Sequence, residues 1–429
     1  MSREYIQPPR GMRDIVGIEA EIHEYLVSEF TRVARLTGFK PVIPPTVEYS
    51  RLFEAKSGVE IRKSMYVFKD KAGRLLALRP EVTASVIRIY LKKLRGEVKP
   101  IRLYYIAQCF RYEEPQYARY REFWQAGLEV IGDPGINGDL SVAYTASTYL
   151  DNIGVKHYYV IGNIAFHRIL LSKLGIDNDT QDLILHYIDK SEIEDALKLL
   201  EGRASEEGVE AFKKLLDTPL NNLEDYISSY KDLFGDSVDK LREEYNKLVV
   251  FRDSLRELGY RVEYSPLLVR GLAYYTGLIY EYKTEKLKQS IGGGGRYDGL
   301  TTIYGGPFEY STGLALGLDR IALALEKTWN NERSGVVIIS LENTPLIYSY
   351  MLLKELNKNG LPGWILRVPS IKKGLSIANR KLLRYAIIIG DKEYKERTYS
   401  VKDLVSGEQW SFSINELIKF LKNVLHDNK

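Results

Sequence analysis

Apolar residues recur at helical spacing over residues 19–37, where Ile22, Leu26, Phe30, Val33 and Leu36 share one stripe that stops at Gly38. The pattern predicts an amphipathic helix with a glycine end. The next segment, "GFKPVIPPTVEYSRLF", carries three prolines in extended sequence. Proline donates no ladder hydrogen bond, so this segment belongs at a sheet edge or an interface. From 101 to 131 the period becomes two on both sides of Pro115, predicting two antiparallel strands around a loop near 113–120. Residues 164–258 are helical and charged, as in "DLILHYIDKSEIEDALKLLEG" and "DKLREEYNKLVVFRDSLREL", and read as a helical insertion. Strand-like sequence returns over 260–300. After it, "STGLALGLDRIALAL" predicts a helix at 313–327 with Leu314, Leu318, Ile321 and Leu325 inward. "EKTWNNERSG" reads as a linker, and beyond it strand and helix signals alternate as in a small α/β domain.

Composition narrows the class of protein. A chain of 429 residues implies two or three domains, and 45 % apolar with 28 % charged residues is ordinary for a soluble globular protein. No uncharged apolar run approaches the ~18 residues needed to span a bilayer. The start, "MSREYIQPPRGMRD", has no apolar core of a secretory signal. A cytoplasmic protein with no membrane partner is expected. One cysteine, Cys109, and five histidines (His23, His157, His167, His186, His426) without metal-ligand spacing argue against disulfides and against a Cys/His zinc site. The net charge of +4 is unevenly spread: residues 335–429 hold 15 Lys and Arg against 9 Asp and Glu, leaving 46 against 48 elsewhere. A polyanion partner at the carboxyl end is one reading; a basic solvated face is the other.

The stretch "FRYEEPQYARYREFWQAGLE" at 110–129 crowds three arginines, four acids and three tyrosines around one proline. On a strand, Arg121, Phe123, Gln125, Gly127 and Glu129 share one face, and Glu122, Trp124, Ala126, Leu128 and Val130 share the other. The second set is a core face. The first combines a cation, a flat ring, an amide, a missing side chain and a carboxylate, which suits a ligand cleft better than packing. On the partner strand Arg111 and Glu113 share a face. Buried without partners, such charges are costly, so they either pair in an exposed hairpin or face something polar.

Other segments add weaker signals. "LALRPEVTASVIR" places Arg79, Glu81 and Thr83 two apart, which fits a strand end with a helix cap as well as a site. "LLVRGLAYYTGLIYEY" sets Arg270 beside Gly271, with Tyr274 and Tyr275 following. "IGGGGRYDGL" at 291–300 reads as an anion cradle or a tight turn, and matches neither dinucleotide nor P-loop spacing. Arg320 is the residue of "STGLALGLDR" that packing does not ask for.

In this order the segments resemble the histidyl-tRNA synthetase family of class II aminoacyl-tRNA synthetases. The resemblance rests on "PPRGMRDI", the proline segment to Pro45 (motif 1), "FRYEEPQYARYREFWQ" (motif 2), "STGLALGLDR" (motif 3), and the histidine-specific pair "RGLAYYTG" and "GGGGRYDGL". The closing "YSVKDLVSGEQ" resembles the family's anticodon-binding domain. The resemblance implies an α+β fold: an antiparallel sheet core flanked by helices (1–163 and 259–328), a helical insertion (164–258), and a C-terminal α/β anticodon-binding domain (335–429). It also implies a homodimer through motif 1, and the ATP-dependent, Mg²⁺-assisted joining of L-histidine to its cognate tRNA.

By the same resemblance, Arg111 and Arg270 hold the α-phosphate, Phe123 stacks on adenine, Arg320 clamps the far phosphates, and Glu113 joins the ATP site. Arg111, Arg270 and Arg320 are the implied catalytic residues, with no protein-held metal. Glu81, Thr83 and Gln125 correspond to the α-ammonium site, and Glu129, Tyr275 and Tyr297 to the imidazole site, with Gly127 leaving room between Gln125 and Glu129. Ala118, Glu114 and Trp124 depart from the common motif 2 pattern, the first two in the loop that faces tRNA. Two alternatives are a histidine-binding regulatory paralogue and a non-catalytic tRNA-binding module. The first generally lacks the terminal domain and the three arginines, and the second needs neither phosphate arginines nor a histidine pocket.

Overall fold

The computed structural model describes residues 6–55, 63–269, 274–326 and 333–426. The chain divides into two compact units, 1–327 and 328–429. In the first, the strands are β1 (Lys40–Pro41), β2 (Val47–Tyr49), β3 (Val67–Lys69), β4 (Leu75–Leu78), β5 (Ile101–Phe110), β6 (Glu122–Ile131), β7 (Tyr158–Asn163), β8 (Val262–Tyr264), β9 (Leu278–Thr284), β10 (Leu287–Arg296) and β11 (Ser311–Gly317). Eight of them form one sheet in the order β1-β5-β6-β11-β10-β9-β7-β8, and β2-β4-β3 form a small second sheet. The six central strands are antiparallel neighbours, and only the short edge strands β1 and β8 pair in parallel. Pro41 lies in β1, at an edge, where a missing N–H costs no central ladder bond.

The period-two stretch folds as the hairpin β5–β6, with Cys109 opposite Phe123 and Tyr105 opposite Gly127. The first helix spans Ile18–Leu36 and buries Leu26, Phe30 and Val33, each contributing roughly 1.5–3 kcal/mol by leaving water. Leu36 falls on the same stripe by spacing but is 72 % exposed, because the helix ends there, before Gly38 (φ +85°) turns the chain away.

Two expectations are corrected. Residues 311–317 form strand β11, and the helix begins only at Leu318, running to Ala324. Periodicity misled here because consecutive residues of β11 are buried on both faces of the sheet, so its apolar residues do not alternate with polar ones. The glycine run is likewise no turn: Gly292–Gly295 pair in mid-strand β10 with β9 and β11. Side-chain-free positions let neighbouring backbones close in.

The chain from 164 to 257 is helical from Ile164–Lys173 to Val238–Glu257, apart from short turns, and it shares one continuous apolar core with the sheet. Phe251 of the last helix packs on Tyr280 of β9 with ring centres 5.2 Å apart. A buried ion pair ties this core together. Asp139, from helix Ile136–Asn152, accepts Arg296 Nε at 3.0 Å and Thr312 Oγ1 at 2.6 Å, while Arg296 also donates to the Asp133 and Gly135 carbonyls.

The second unit is a five-stranded sheet of β12 (Val336–Leu341), β13 (Trp364–Val368), β14 (Tyr385–Ile389), β15 (Tyr399–Asp403) and β16 (Gln409–Phe412), in the order β13-β12-β14-β15-β16. The first three are parallel and the last two antiparallel additions. Helices cover both faces: Leu352 and Leu356 pack with Ile338 and Ile387, and Ala378 packs on the other side with Val337 and Ile339. Among the described residues no helix is long and apolar enough to cross a membrane.

The Arg296–Asp139 pair generates a stability prediction. Asp139→Ala removes the carboxylate that holds the buried Arg296 guanidinium, leaving it the two carbonyls and a longer contact to Asp298 at 3.3 Å, and is expected to destabilise the first unit by about 3 kcal/mol. Urea denaturation followed by tryptophan fluorescence reads it, and a shift below ~1 kcal/mol would mean that the pair is dispensable.

Candidate active site

A cavity of about 200 Å³ opens on the sheet face formed by the β5–β6 hairpin, β10 and β11. It runs along β6 because alternate side chains of that strand project into it: Phe123 and Gln125 line it, and Glu129 lies just behind the wall. The two ends differ in charge.

At the Phe123 end the lining includes Arg111, Arg119 and Arg320. The Arg111 guanidinium sits 5.3 Å from the Phe123 ring centre and donates from Nε to the Pro80 carbonyl at 2.9 Å. Arg320, in the first turn of its helix, donates to Ala118 O at 3.1 Å and Ser290 O at 2.7 Å. Burial, with the Arg119 and Arg111 charges nearby, pushes its pKa down. Glu113 pairs with Arg119; burial opposes its ionisation, but the Arg119 bond and the Arg111 charge bring its carboxyl below the usual range. Arg121 lies beside the loop and not in the cavity lining, donating from Nε to Glu113 O at 3.0 Å with its guanidinium 3.9 Å from the Tyr112 ring centre.

At the other end Glu81, Thr83, Tyr274, Tyr275 and Tyr297 line the cavity. Glu81 is held by the N-terminus of helix Thr83–Ile89, accepting Ala84 N–H at 3.0 Å, and burial raises its pKa. Glu129 is 1 % exposed. Thr83 Oγ1 donates to it at 2.8 Å, and the Tyr297 hydroxyl donates to its other oxygen. Neither partner is a cation, so burial pushes the Glu129 pKa up to about 8. Arg79, by contrast, does not line the cavity. It ties the Gln108 and Pro44 carbonyls together at 2.6 and 2.9 Å.

The structure thus brings Arg111, Glu113, Phe123, Arg320, Glu81, Thr83, Gln125, Tyr275 and Tyr297 into one lining, with Glu129 behind it. Arg270 lies outside the described residues. The space at Gly127 is not an opening for a ligand as the resemblance implied. A Cβ there would meet Tyr105 Cζ at 2.1 Å, so the glycine makes room for the Tyr105 ring, which lines the cavity. Sequence reasoning missed Tyr105, although counting back in twos from Arg111, the residue after β5, reaches it. It also missed Asp319 and Tyr120, and for Asp319 the only signal was its place before Arg320. Cys109 donates to Gln125 Oε1 at 3.2 Å, and burial raises its thiol pKa to about 12. It is a neutral packing residue there.

Residues 11–321 match the family model for histidyl-tRNA synthetase, and residues 335–424 match that for the anticodon-binding domain. The histidine–tRNA ligase of Sulfurisphaera tokodaii is 38 % identical over 433 residues, covering 98 % of this chain and 99 % of that one. The apo S. aureus histidyl-tRNA synthetase superposes with a TM-score of 0.68 at 25 % identity, covering 97 % of this chain and 99 % of that chain. The Nostoc sp. PCC 7120 enzyme gives 0.76 at 21 % identity over 98 % and 99 %, a likeness of fold. With both units matched and near-full-length relatives well above 30 % identity, the chain belongs to the histidyl-tRNA synthetase family.

Proposed function

We propose that the cavity divides its work along β6, with ATP at the Arg111–Phe123–Arg320 end and histidine at the Glu81–Gln125–Tyr297 end. The observation that carries this reading is the charge asymmetry. One end gathers Arg111 and Arg320, held by neutral carbonyls, beside the Arg119–Glu113 pair, and the other holds Glu129 with only hydroxyl partners and Glu81 on a helix N-terminus. The chain ligates L-histidine to tRNA in two steps. A histidine carboxylate oxygen attacks the α-phosphorus of ATP and pyrophosphate leaves. The 3′-terminal ribose hydroxyl of the tRNA then attacks the acyl carbon, releasing AMP.

In this reading Phe123 stacks on adenine while Arg111 and Arg270 stabilise charge on the α-phosphoryl oxygens and Arg320 holds the far phosphates. Positioning and electrostatics supply the rate, with no general base of special pKa. Among the described residues no cluster of three side chains could hold a metal ion. Mg²⁺ would enter as a companion of the ATP phosphates, with Glu113 its candidate carboxylate, and would neutralise phosphate charge when bound. Glu81 and Gln125 receive the α-ammonium group, with Thr83 beside them, donating to Glu129 in the free chain. Tyr275, Tyr297 and Glu129 surround the imidazole, Glu129 acting through the Tyr297 hydroxyl that covers it.

The anticodon-binding unit, with its basic excess, is the surface for the tRNA polyanion. A homodimer is supported by exposed apolar side chains near motif 1, where Ile43 and Val98 are both 92 % exposed beside a groove of about 690 Å³. A cytoplasmic location belongs to the same reading, since tRNA, ATP and histidine meet there.

Three measurements test it. Histidine-dependent exchange of labelled pyrophosphate into ATP, with magnesium, is expected in the wild type and should fall by about 10²–10³-fold or more in Arg111→Ala and Arg270→Ala. Absence of exchange with histidine still bound in calorimetry would favour the regulatory paralogue instead. Sedimentation equilibrium should give twice the chain mass of 49.2 kDa, and a monomer would remove the dimer from the reading.

The third concerns pH. Glu129 has its folded pKa raised from 4.5 to about 8, so the folded chain keeps a proton that the unfolded chain releases. Its contribution to stability is full below about pH 4.5 and is lost as pH rises through about 8. The melting temperature of Glu129→Gln minus that of wild type, without histidine, should therefore become more positive from pH 5 to pH 8. A flat difference would mean that Glu129 ionises normally.

A further inference from the structure

We propose that Arg13, in the amino-terminal segment, is a positioning residue for ATP that acts through Asp319 and the backbone of Trp124; the inference rests on the placement of ATP argued above. Asp319 is the second residue of helix Leu318–Ala324, lines the cavity and has a side chain only 5 % exposed. One of its oxygens accepts the Trp124 N–H at 2.8 Å, and the other is held by Arg13. Trp124 follows Phe123 in the chain and Asp319 precedes Arg320. The Asp319–Trp124 bond therefore fixes the spacing between the adenine platform and the clamp for the far phosphates.

A carboxylate in the wall of a triphosphate site repels its ligand unless a cation compensates it. Without Arg13 the cation nearest along the chain is Arg320, and a carboxylate turned toward Arg320 cancels the charge meant for phosphate. Arg13 thus keeps Asp319 both neutralised and aimed at Trp124. The same guanidinium lies 4.2 Å over the ring of Tyr120, which also lines the cavity. Next to it, Gly11 O accepts the Arg121 N–H at 2.8 Å and Arg10 O accepts Arg121 Nη1 at 3.4 Å. The strap of residues 10–13 holds the loop end of the hairpin and the start of the Arg320 helix in one arrangement. Glu19, 3.9 Å from Arg13 and 66 % exposed, adds little.

The expected signature is a selective loss of ATP affinity. In pyrophosphate exchange with the full-length enzyme, Arg13→Ala should raise KM for ATP about tenfold, equivalent to ~1.4 kcal/mol, while KM for histidine changes less than about twofold. Arg13→Lys should recover part of the loss, because it restores the charge but not the planar stack on Tyr120. Adding Asp319→Asn to Arg13→Ala should cost less than the two separate effects combined, since both act through one link. Equal rises in both KM values, or additive losses in the double variant, would reduce Arg13 to a general packing role and overturn the proposal. An unchanged KM for ATP in Arg13→Ala, alongside a large loss in Arg320→Ala, would overturn it and leave the ATP placement standing. Unchanged exchange in Arg320→Ala and Arg111→Ala would instead remove the ATP placement itself.

Discussion

The carboxylate of Glu129 is buried in mid-sheet with two hydroxyl donors and no cation, and the cavity's architecture follows from how that group is accommodated. A lone ionised carboxylate in such a place is costly, so it retains a proton up to about pH 8. The neighbouring strand gives way to it. A Cβ on Gly313 of β11 would fall 1.8 Å from Glu129 Oε2, so this position has to lack a side chain. On the proposed reading, an imidazole that donates toward the Tyr297–Glu129 pair is welcome where an apolar ring of similar size is not. Polar groups left unpaired by the wrong ligand keep their full desolvation penalty.

The same requirement reaches into the structural core. Tyr297 covers Glu129, and the residue before it, Arg296, is locked by Asp139 and by two backbone carbonyls. Asp139 also accepts the Thr312 hydroxyl, one residue before Gly313. A single buried ion pair therefore fixes the backbone on both sides of the carboxylate, on β10 through Tyr297 and on β11 through Gly313. Its rigidity is transmitted over one peptide unit to Tyr297 and Gly313 in the cavity lining, which is how a fold of marginal stability holds a site in place.

Much of this was legible in the sequence, and what was not has identifiable reasons. The β5–β6 hairpin was readable because one face of β6 is core and the other is cavity, so the chemistry alternates with period two. The charged end of the site could be read from the same alternation, since Arg111, Glu113, Phe123 and Gln125 needed no information beyond one strand pair. Strand β11 and the glycine end of β10 were misread because residues on both of their faces are buried, so they cannot show alternation, leaving glycines and leucines that fit a turn or a helix equally well. The partnerships of Asp139 with Arg296, 157 positions apart, and of Arg13 with Asp319, 306 apart, leave no local trace at all. Tyr105 lies between these cases. Its position was computable, but its role depended on the register that set it opposite Gly127.

The arginines of the molecule sort by the partner that holds them. Arg296, Arg119 and Arg13 are fixed by carboxylates, and each pair is close to neutral. Arg111 and Arg320, assigned to phosphates, are fixed by carbonyl oxygens of Pro80, Ala118 and Ser290. A carbonyl accepts a hydrogen bond and orients the planar guanidinium but carries no net charge, so the positive charge stays available to an anion. A carboxylate in the same place gives equal rigidity at the expense of that charge. On the proposed reading the cavity in the free chain is already arranged for a polyanion, with Arg111 and Arg320 aimed by neutral groups, the wall carboxylate Glu113 paired with Arg119, and Asp319 compensated from outside by Arg13. Little reorganisation remains when a triphosphate enters, and fixed charges that need no reorganisation stabilise charge developing on the phosphoryl oxygens more effectively than water can.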